Sequence, residues 1–136
     1  MTNQANHHGI VHFEIPAQDP EKLSDFYKQL FGWQIQKMDM GEMAYYPVMT
    51  VDSDEQGMPK VPGAINGGIA PRMAPDQKAA NYVNVESVDQ YVTKAKGLGA
   101  QLLMDKQPVP GMGWFAHLLD PEGNIFGVWQ TDMSAK

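Results

Sequence analysis

The sequence predicts an α+β fold in which a β-α-β-β-β module occurs twice in one chain of 136 residues. Three observations predict it. Short stretches alternate apolar and polar residues, which is the period of a half-buried strand. Two stretches have helical periodicity, each opened by a capping residue and closed by glycine. The order strand, helix, strand, strand, strand is run through twice, with LFGWQI (from Leu30) and GLGAQL (from Gly97) at matching points. A repeat of this size points to one fold assembled from two similar halves rather than to two unrelated domains.

Each element has its own signal. In IVHFEIP, Val11, Phe13 and Ile15 alternate with His12 and Glu14. Asp19 and Pro20 supply an N-cap and a first helical residue. Leu23, Phe26, Tyr27 and Leu30 form the stripe of that helix, which Gly32 stops. WQIQKMD and EMAYYPVM are the next strands, and Val51–Lys60 is an acidic loop. PGAINGGIA, from Pro62, is a glycine-rich strand, and Pro71–Lys78 is a second loop. NYVNVE then opens the second module. Ser87, with Gln90 three residues on, is a capping box for a helix carrying Val88, Tyr91, Val92 and Ala95. AQLLMD, WFAHLLD and NIFGVWQ are the closing strands, the last two joined by the turn Asp120-Pro121-Glu122-Gly123. The expected organisation is a tail over residues 1–9, one domain over 10–130 with modules 10–70 and 79–130, and a second tail over 131–136.

Composition limits the function. There are no cysteines, which removes disulfides and thiolate chemistry and fits a cytoplasmic location. No stretch is long and apolar enough to span a membrane, and the polar start MTNQANHHGI gives no expectation of a secretory signal. The formal net charge is −6 and Arg72 is the one arginine. No basic face is available for nucleic acid or anionic membranes. Small molecules and protein partners remain.

Three stretches carry a family likeness: VHFEIPAQDPEKLSDFYKQLFGW, YVNVESVDQYVTKAKGLGA and DPEGNIFGVW. In this order they resemble the vicinal oxygen chelate superfamily, which includes glyoxalase I, bleomycin-resistance proteins, fosfomycin-resistance enzymes and extradiol dioxygenases. GGIAP and PGMGWFAHLLDPEGN are most similar to small proteins related to lactoylglutathione lyase. The resemblance spans Ile10–Gln130. It implies curved sheets around a cleft, and in metal-using members a divalent ion held by His, Gln or Glu from the first and last strands of each half. It also implies a homodimer, for which the apolar content is generous.

Tested residue by residue, the implied ion site is depleted. His12, seven residues before Asp19, matches the first position. The second falls at Ala80 or Asn81, the third near Asn66–Gly68, and the fourth, a glutamate in metal-using members, at Gly127. Glu14 is expected to lie too far from His12 to chelate tightly without help. A catalytic ion wants about three N or O ligands from protein. No cofactor is therefore expected, and neither glyoxalase I nor extradiol chemistry.

The expected function is a glyoxalase-like protein with a degenerate metal site that binds a small organic molecule in its cleft. Tyr82, Asn84, Ile125, Gly127, Trp129, Trp114 and Tyr46 are the expected ligand-binding residues, with Tyr45 and Phe115 as alternatives to the last two and Gly127 leaving space. His12 and Glu14 are the candidate catalytic pair if the protein is instead a lyase or isomerase, either metal-dependent, with a disfavoured divalent ion held partly by His12 and another chain, or metal-free. A third reading is an interaction module whose cleft is filled by its own side chains. Arg72 is a candidate for an anionic group or a solvated side chain. His117 is a further inner candidate that depends on register, and His7 and His8 read as a polar surface pair.

Overall fold

A computed structural model describes residues 8–40 and 43–136. His7, the beginning of the expected N-terminal tail and Glu42 of the expected third strand lie outside the described residues. The elements are β1 (Ile10–Ala17), α1 (Pro20–Phe31), β2 (Gln34–Ile35), β3 (Met38–Met40), β4 (Met43–Met49), β5 (Gly67–Pro71), β6 (Ala80–Asn84), α2 (Val88–Gly97), β7 (Gln101–Val109), β8 (Gly113–Leu119) and β9 (Ile125–Thr131). Two compact units result. One is His12–Ala79; the other is Ala80–Lys136 with residues 8–11.

The unit His12–Ala79 has the strand order β2-β4-β5-β1, with β3 also paired to β4. β1 and β5 run parallel, with Glu14 opposite Gly68 and Ile15 opposite Ile69. β4 is antiparallel to β5, with Tyr46 opposite Ile69 and Pro47 opposite Gly68. The second unit repeats the order as β7-β8-β9-β6. β6 and β9 are parallel, with Tyr82 opposite Gly127. β8 is antiparallel to β9, with His117 opposite Gly127 and Phe115 opposite Trp129. The mixed sheets and flanking helices are the α+β architecture that the repeated element order predicts.

The helices begin where capping chemistry places them. The Asp19 side chain accepts from the Lys22 N–H at 3.1 Å, and Pro20 follows at the first helical position. Gly32 closes α1 at φ 73°, a left-handed conformation that glycine adopts without a Cβ penalty. The Ser87 side chain likewise accepts from the Gln90 N–H. Each helix covers one face of its own sheet. Under α1 lie Phe13, Ile15, Ala17, Ile35, Val48 and Ile69; under α2 lie Val85, Ala116, Leu118 and Val128.

Several strands differ in extent from expectation, and two of them show why. WQIQKMD divides into β2 and β3, with Gln36 and Lys37 outside both. PGAINGGIA becomes a strand only from Gly67, because Asn66 is used as a loop staple. Its amide oxygen accepts from Thr50 N–H at 2.8 Å, and its NH2 donates to Ser53 Oγ and to the Gly57 carbonyl. The C-terminal residues are also tied down: Ala135 is buried and its carbonyl accepts from Gly111 N–H at 2.9 Å.

Candidate functional site

In the unit His12–Ala79, strand alternation separates two chemistries. Phe13, Ile15 and Ala17 pack with Leu23 and Tyr27 of α1. His12 and Glu14 consequently stand on the opposite face, both half-buried. Tyr45 reaches that face from β4. Its hydroxyl donates to Glu14 Oε2 at 3.4 Å and lies 3.1 Å from His12 Nε2. With the phenolic proton given to Glu14, the Nε2 contact is one in which His12 donates to the phenol oxygen. His12 Nε2 and Glu14 Oε2 are 3.7 Å apart, so the two side chains converge with help from a third group. Tyr45 is the reason: it is a hydrogen-bonding group between them.

Tyr45 in turn depends on Gly68. A Cβ on Gly68 would overlap the hydroxyl end of the Tyr45 ring. Burial first, then the negative charge of Glu14 and the hydrogen bond to it, hold the Tyr45 phenol protonated well above its ordinary value of 10.0. The fold thus keeps a proton that the unfolded chain releases. This contribution to stability is complete below the ordinary tyrosine value and is lost as pH rises above it. We expect the Tyr45 ring resonances to stay in their neutral position past the pH at which an exposed tyrosine ionises. We also expect Tyr45→Phe to reduce the alkaline loss of urea resistance. Titration of Tyr45 at the ordinary value removes the proposed coupling to Glu14.

The second unit has a corresponding arrangement. Trp114, Ala116, Leu118, Phe126 and Val128 pack on the α2 side. Tyr82, Phe115, His117, Ile125, Gly127 and Trp129 share the opposite face by alternation. Asn84 shares the parity of Tyr82, while its main chain receives residues 8 and 9: its N–H donates to the Gly9 carbonyl, and its own carbonyl accepts from His8 Nδ1 at 2.9 Å. His8 Nε2 also meets the Tyr91 hydroxyl at 3.2 Å. The Tyr82 hydroxyl is hydrogen-bonded to His117 Nε2. The Tyr82 ring meets Phe115 and His117 edge-on, with centroids 6.2 and 5.4 Å away. The Trp129 indole N–H donates to Thr131 Oγ1 at 3.1 Å.

Three site expectations change. Gly127 leaves no empty notch, because the ring of Tyr82 fills it: a Cβ on Gly127 would lie 2.5 Å from Tyr82 Cδ2. Tyr46 is on the helix side, buried opposite Ile69. Trp114 is also on the helix side. Its indole N–H donates to Asp132 Oδ2 at 2.9 Å, and Lys106 Nζ lies 4.5 Å from its ring centroid. The adjacent aromatics Tyr45 and Phe115 occupy the predicted face instead. Alternation separates neighbours, but two adjacent aromatics do not reveal which one points to the helix; partner register does. That register also brings in His117 and Gly68. The implied ion positions now read His12, Gly68, Ala80 or Asn81, and Gly127. Among the described residues, no group of three His, Cys, Asp or Glu side chains is arranged to hold a metal ion.

A family model described as "Bleomycin resistance protein-like N-terminal" matches residues 9–47. Over 122 residues the chain is 27% identical to CFP32, a protein bearing a glyoxylase name, of Mycobacterium bovis and of Mycobacterium tuberculosis. That match takes in 88% of this chain and 42% of theirs, so the chain spans less than half the length of these curated relatives. Among solved structures, methylmalonyl-CoA epimerase of Streptomyces coelicolor, as a variant in complex with 2-nitronate-propionyl-CoA, is similar with a TM-score of 0.64 and 16% identity, over 93% of this chain and 99% of that one. Methylmalonyl-CoA epimerase of Mycobacterium tuberculosis gives 0.65 and 10%, over 97% and 93%. The hypothetical protein BH1468 of Bacillus halodurans gives 0.62 and 14%, over 95% and 98%. At these identities the likeness to solved structures is one of fold.

Proposed function

We propose that the chain, which resembles the vicinal oxygen chelate superfamily in sequence and in fold, uses this fold without the superfamily's metal chemistry, to bind a small organic molecule through tyrosine, histidine and other aromatic groups. One observation carries the reading. The last-strand position of each half is a glycine, Gly68 and Gly127, and each glycine is covered by a tyrosine ring, Tyr45 and Tyr82. Neither position offers a side-chain donor, and a glutamate at either would have to displace the tyrosine. Ala80 offers a methyl group where a ligand would stand, and the Asn81 amide is a poor substitute. His12 and Glu14 fall short of the three protein ligands a catalytic ion usually takes. What each face presents instead is a tyrosine–histidine pair, Tyr45 with His12 and Tyr82 with His117. Hydroxyl and imidazole groups beside aromatic surface suit a planar ligand bearing hydrogen-bonding groups.

The test has two parts. Protein purified without chelators is expected to carry far less than one divalent ion per chain; a stoichiometric ion lost on His12→Ala overturns the metal-free reading. A panel of planar aromatic compounds is expected to include one that raises the melting temperature. Saturation at about a hundred times Kd adds about 2.7 kcal/mol. That increment should shrink in Tyr45→Leu or Tyr82→Leu.

The packing of Tyr82 on Gly127 favours a second reading, in which the chain fills its own site. Under it the wild type binds none of the panel, and Tyr82→Ala, which reopens the notch, acquires binding. Wild-type binding that Tyr82→Leu weakens excludes this second reading.

A further inference from the structure

Arg72, the chain's one arginine, stands at the end of β5. Its main-chain N–H donates to the Ala17 carbonyl at 2.8 Å. Its guanidinium donates from Nη1 to the Gln77 carbonyl and from Nη2 to the Pro16 carbonyl at 3.4 Å. The loop that follows is closed on itself, with Met73 N–H donating to Gln77 Oε1 at 2.6 Å and Gln77 N–H to the Ala74 carbonyl at 3.1 Å. The fork is thus held in place by two carbonyls, which reduces the rotamer entropy a ligand would have to remove. These carbonyls are dipoles and leave the full positive charge uncompensated. Although the chain has 16 acidic against 10 basic residues, no described carboxylate lies within ion-pair distance of Arg72.

Arg72 lines a shallow depression of about 340 Å³ at the end of the parallel β1–β5 pair. Ala17, Pro71, Ala74 and Pro75 give it apolar walls, Gln18 adds an amide, and none of its lining residues is acidic. Asp19 and Asp76 are neighbours in sequence, but both are exposed and neither lines the depression. A guanidinium has five N–H donors, of which two are taken here, and the remaining donors can bond the oxygens of a carboxylate or phosphate. We infer that Arg72 and this depression form an oxyanion site, taking the carboxylate or phosphate group of a small ligand whose apolar part rests on the alanine and proline walls. The site shares no residue with the tyrosine–histidine pairs and stands independently of the function proposed for them.

The experiment is a titration of the full-length, ¹⁵N-labelled protein with acetate and, separately, with inorganic phosphate, each against sodium chloride at equal ionic strength. The Arg72 Nε–H and Met73 N–H resonances are expected to move saturably with at least one of the two anions. Acetate alone identifies a carboxylate site and phosphate alone a phosphate site. Arg72→Gln should weaken the response at Met73 at least tenfold, and Arg72→Lys, which keeps the charge but loses the fork, should recover it only in part. Linear shifts, equal shifts with chloride, or saturation unchanged in Arg72→Gln overturn the inference. Because Arg72 also ties Pro16 and Gln77, the glutamine variant can lose its fold. In that case the wild-type titration, read at the Arg72 Nε–H itself, decides.

Discussion

Gly68→Ala and Gly127→Ala are each expected to destabilise the protein by about 1–3 kcal/mol, the usual cost of forcing an extra methyl group into packed space. The sign makes the test sharp. In an open strand, alanine is favoured over glycine by about 0.5–1 kcal/mol, so a substitution without a clash would stabilise. At Gly127 the new Cβ would lie 2.5 Å from Tyr82 Cδ2 and 2.6 Å from Cε2, and the ring must move. At Gly68 it would overlap the hydroxyl end of Tyr45, which would then lose its contacts with His12 and Glu14. Urea denaturation of the single variants and of the pairs Gly68→Ala/Tyr45→Leu and Gly127→Ala/Tyr82→Leu measures the coupling. Residues in contact typically couple by about 0.5–3 kcal/mol, and here the double variant should be more stable than the sum of the singles implies. Simple additivity, or stabilisation by alanine, would show that the tyrosines do not rest on the glycines.

The larger effect belongs to the helix-side cores. Leu118 and Ile69 are both 0% exposed, one beneath α2 and the other beneath α1. Leu118→Ala and Ile69→Ala should each cost about 2–5 kcal/mol, combining lost transfer energy with the cavity left behind. Leu98 is 73% exposed and serves as the control, its replacement by alanine changing stability by no more than about 0.5 kcal/mol. The measurement is the urea midpoint at constant m-value. A Leu118→Ala variant as stable as Leu98→Ala would mean that β8 has the opposite face against α2. It would also undo the placement of Phe115 and His117 beside Tyr82.

Much of the architecture was legible because its causes are local. Asp19-Pro20 and Gly32 bound the first helix through capping and a left-handed C-cap, and Ser87 opens the second. The alternation of Val11, Phe13 and Ile15 with His12 and Glu14 states that two faces exist and which residues share each. The order of elements, with DPEGNIFGVW at its close, carries the likeness to the superfamily and the α+β fold. At two positions where the resemblance implies ion ligands, Ala80 and Gly127 are visible as plain residue identities.

The tertiary structure decided whatever depends on a partner distant in sequence. β5 begins at Gly67 rather than Pro62 because Asn66 binds Thr50, Ser53 and Gly57, a loop contact that no strand pattern announces. Of the neighbours Tyr45 and Tyr46, and of Trp114 and Phe115, alternation shows that each pair splits between two faces. The register Tyr46 to Ile69 and Phe115 to Trp129 determines which goes where. The glycines follow the same rule. Gly127 reads in sequence as a gap beside its own strand neighbours. The parallel pairing of β6 with β9 sets Tyr82 against it and turns the gap into a seat for a ring, as β4 and β5 do for Tyr45 and Gly68. Local periodicity and capping are properties of a few consecutive residues and can be read from them; which side chain fills the space above a glycine is a property of strand pairing and exists only once the chain has folded.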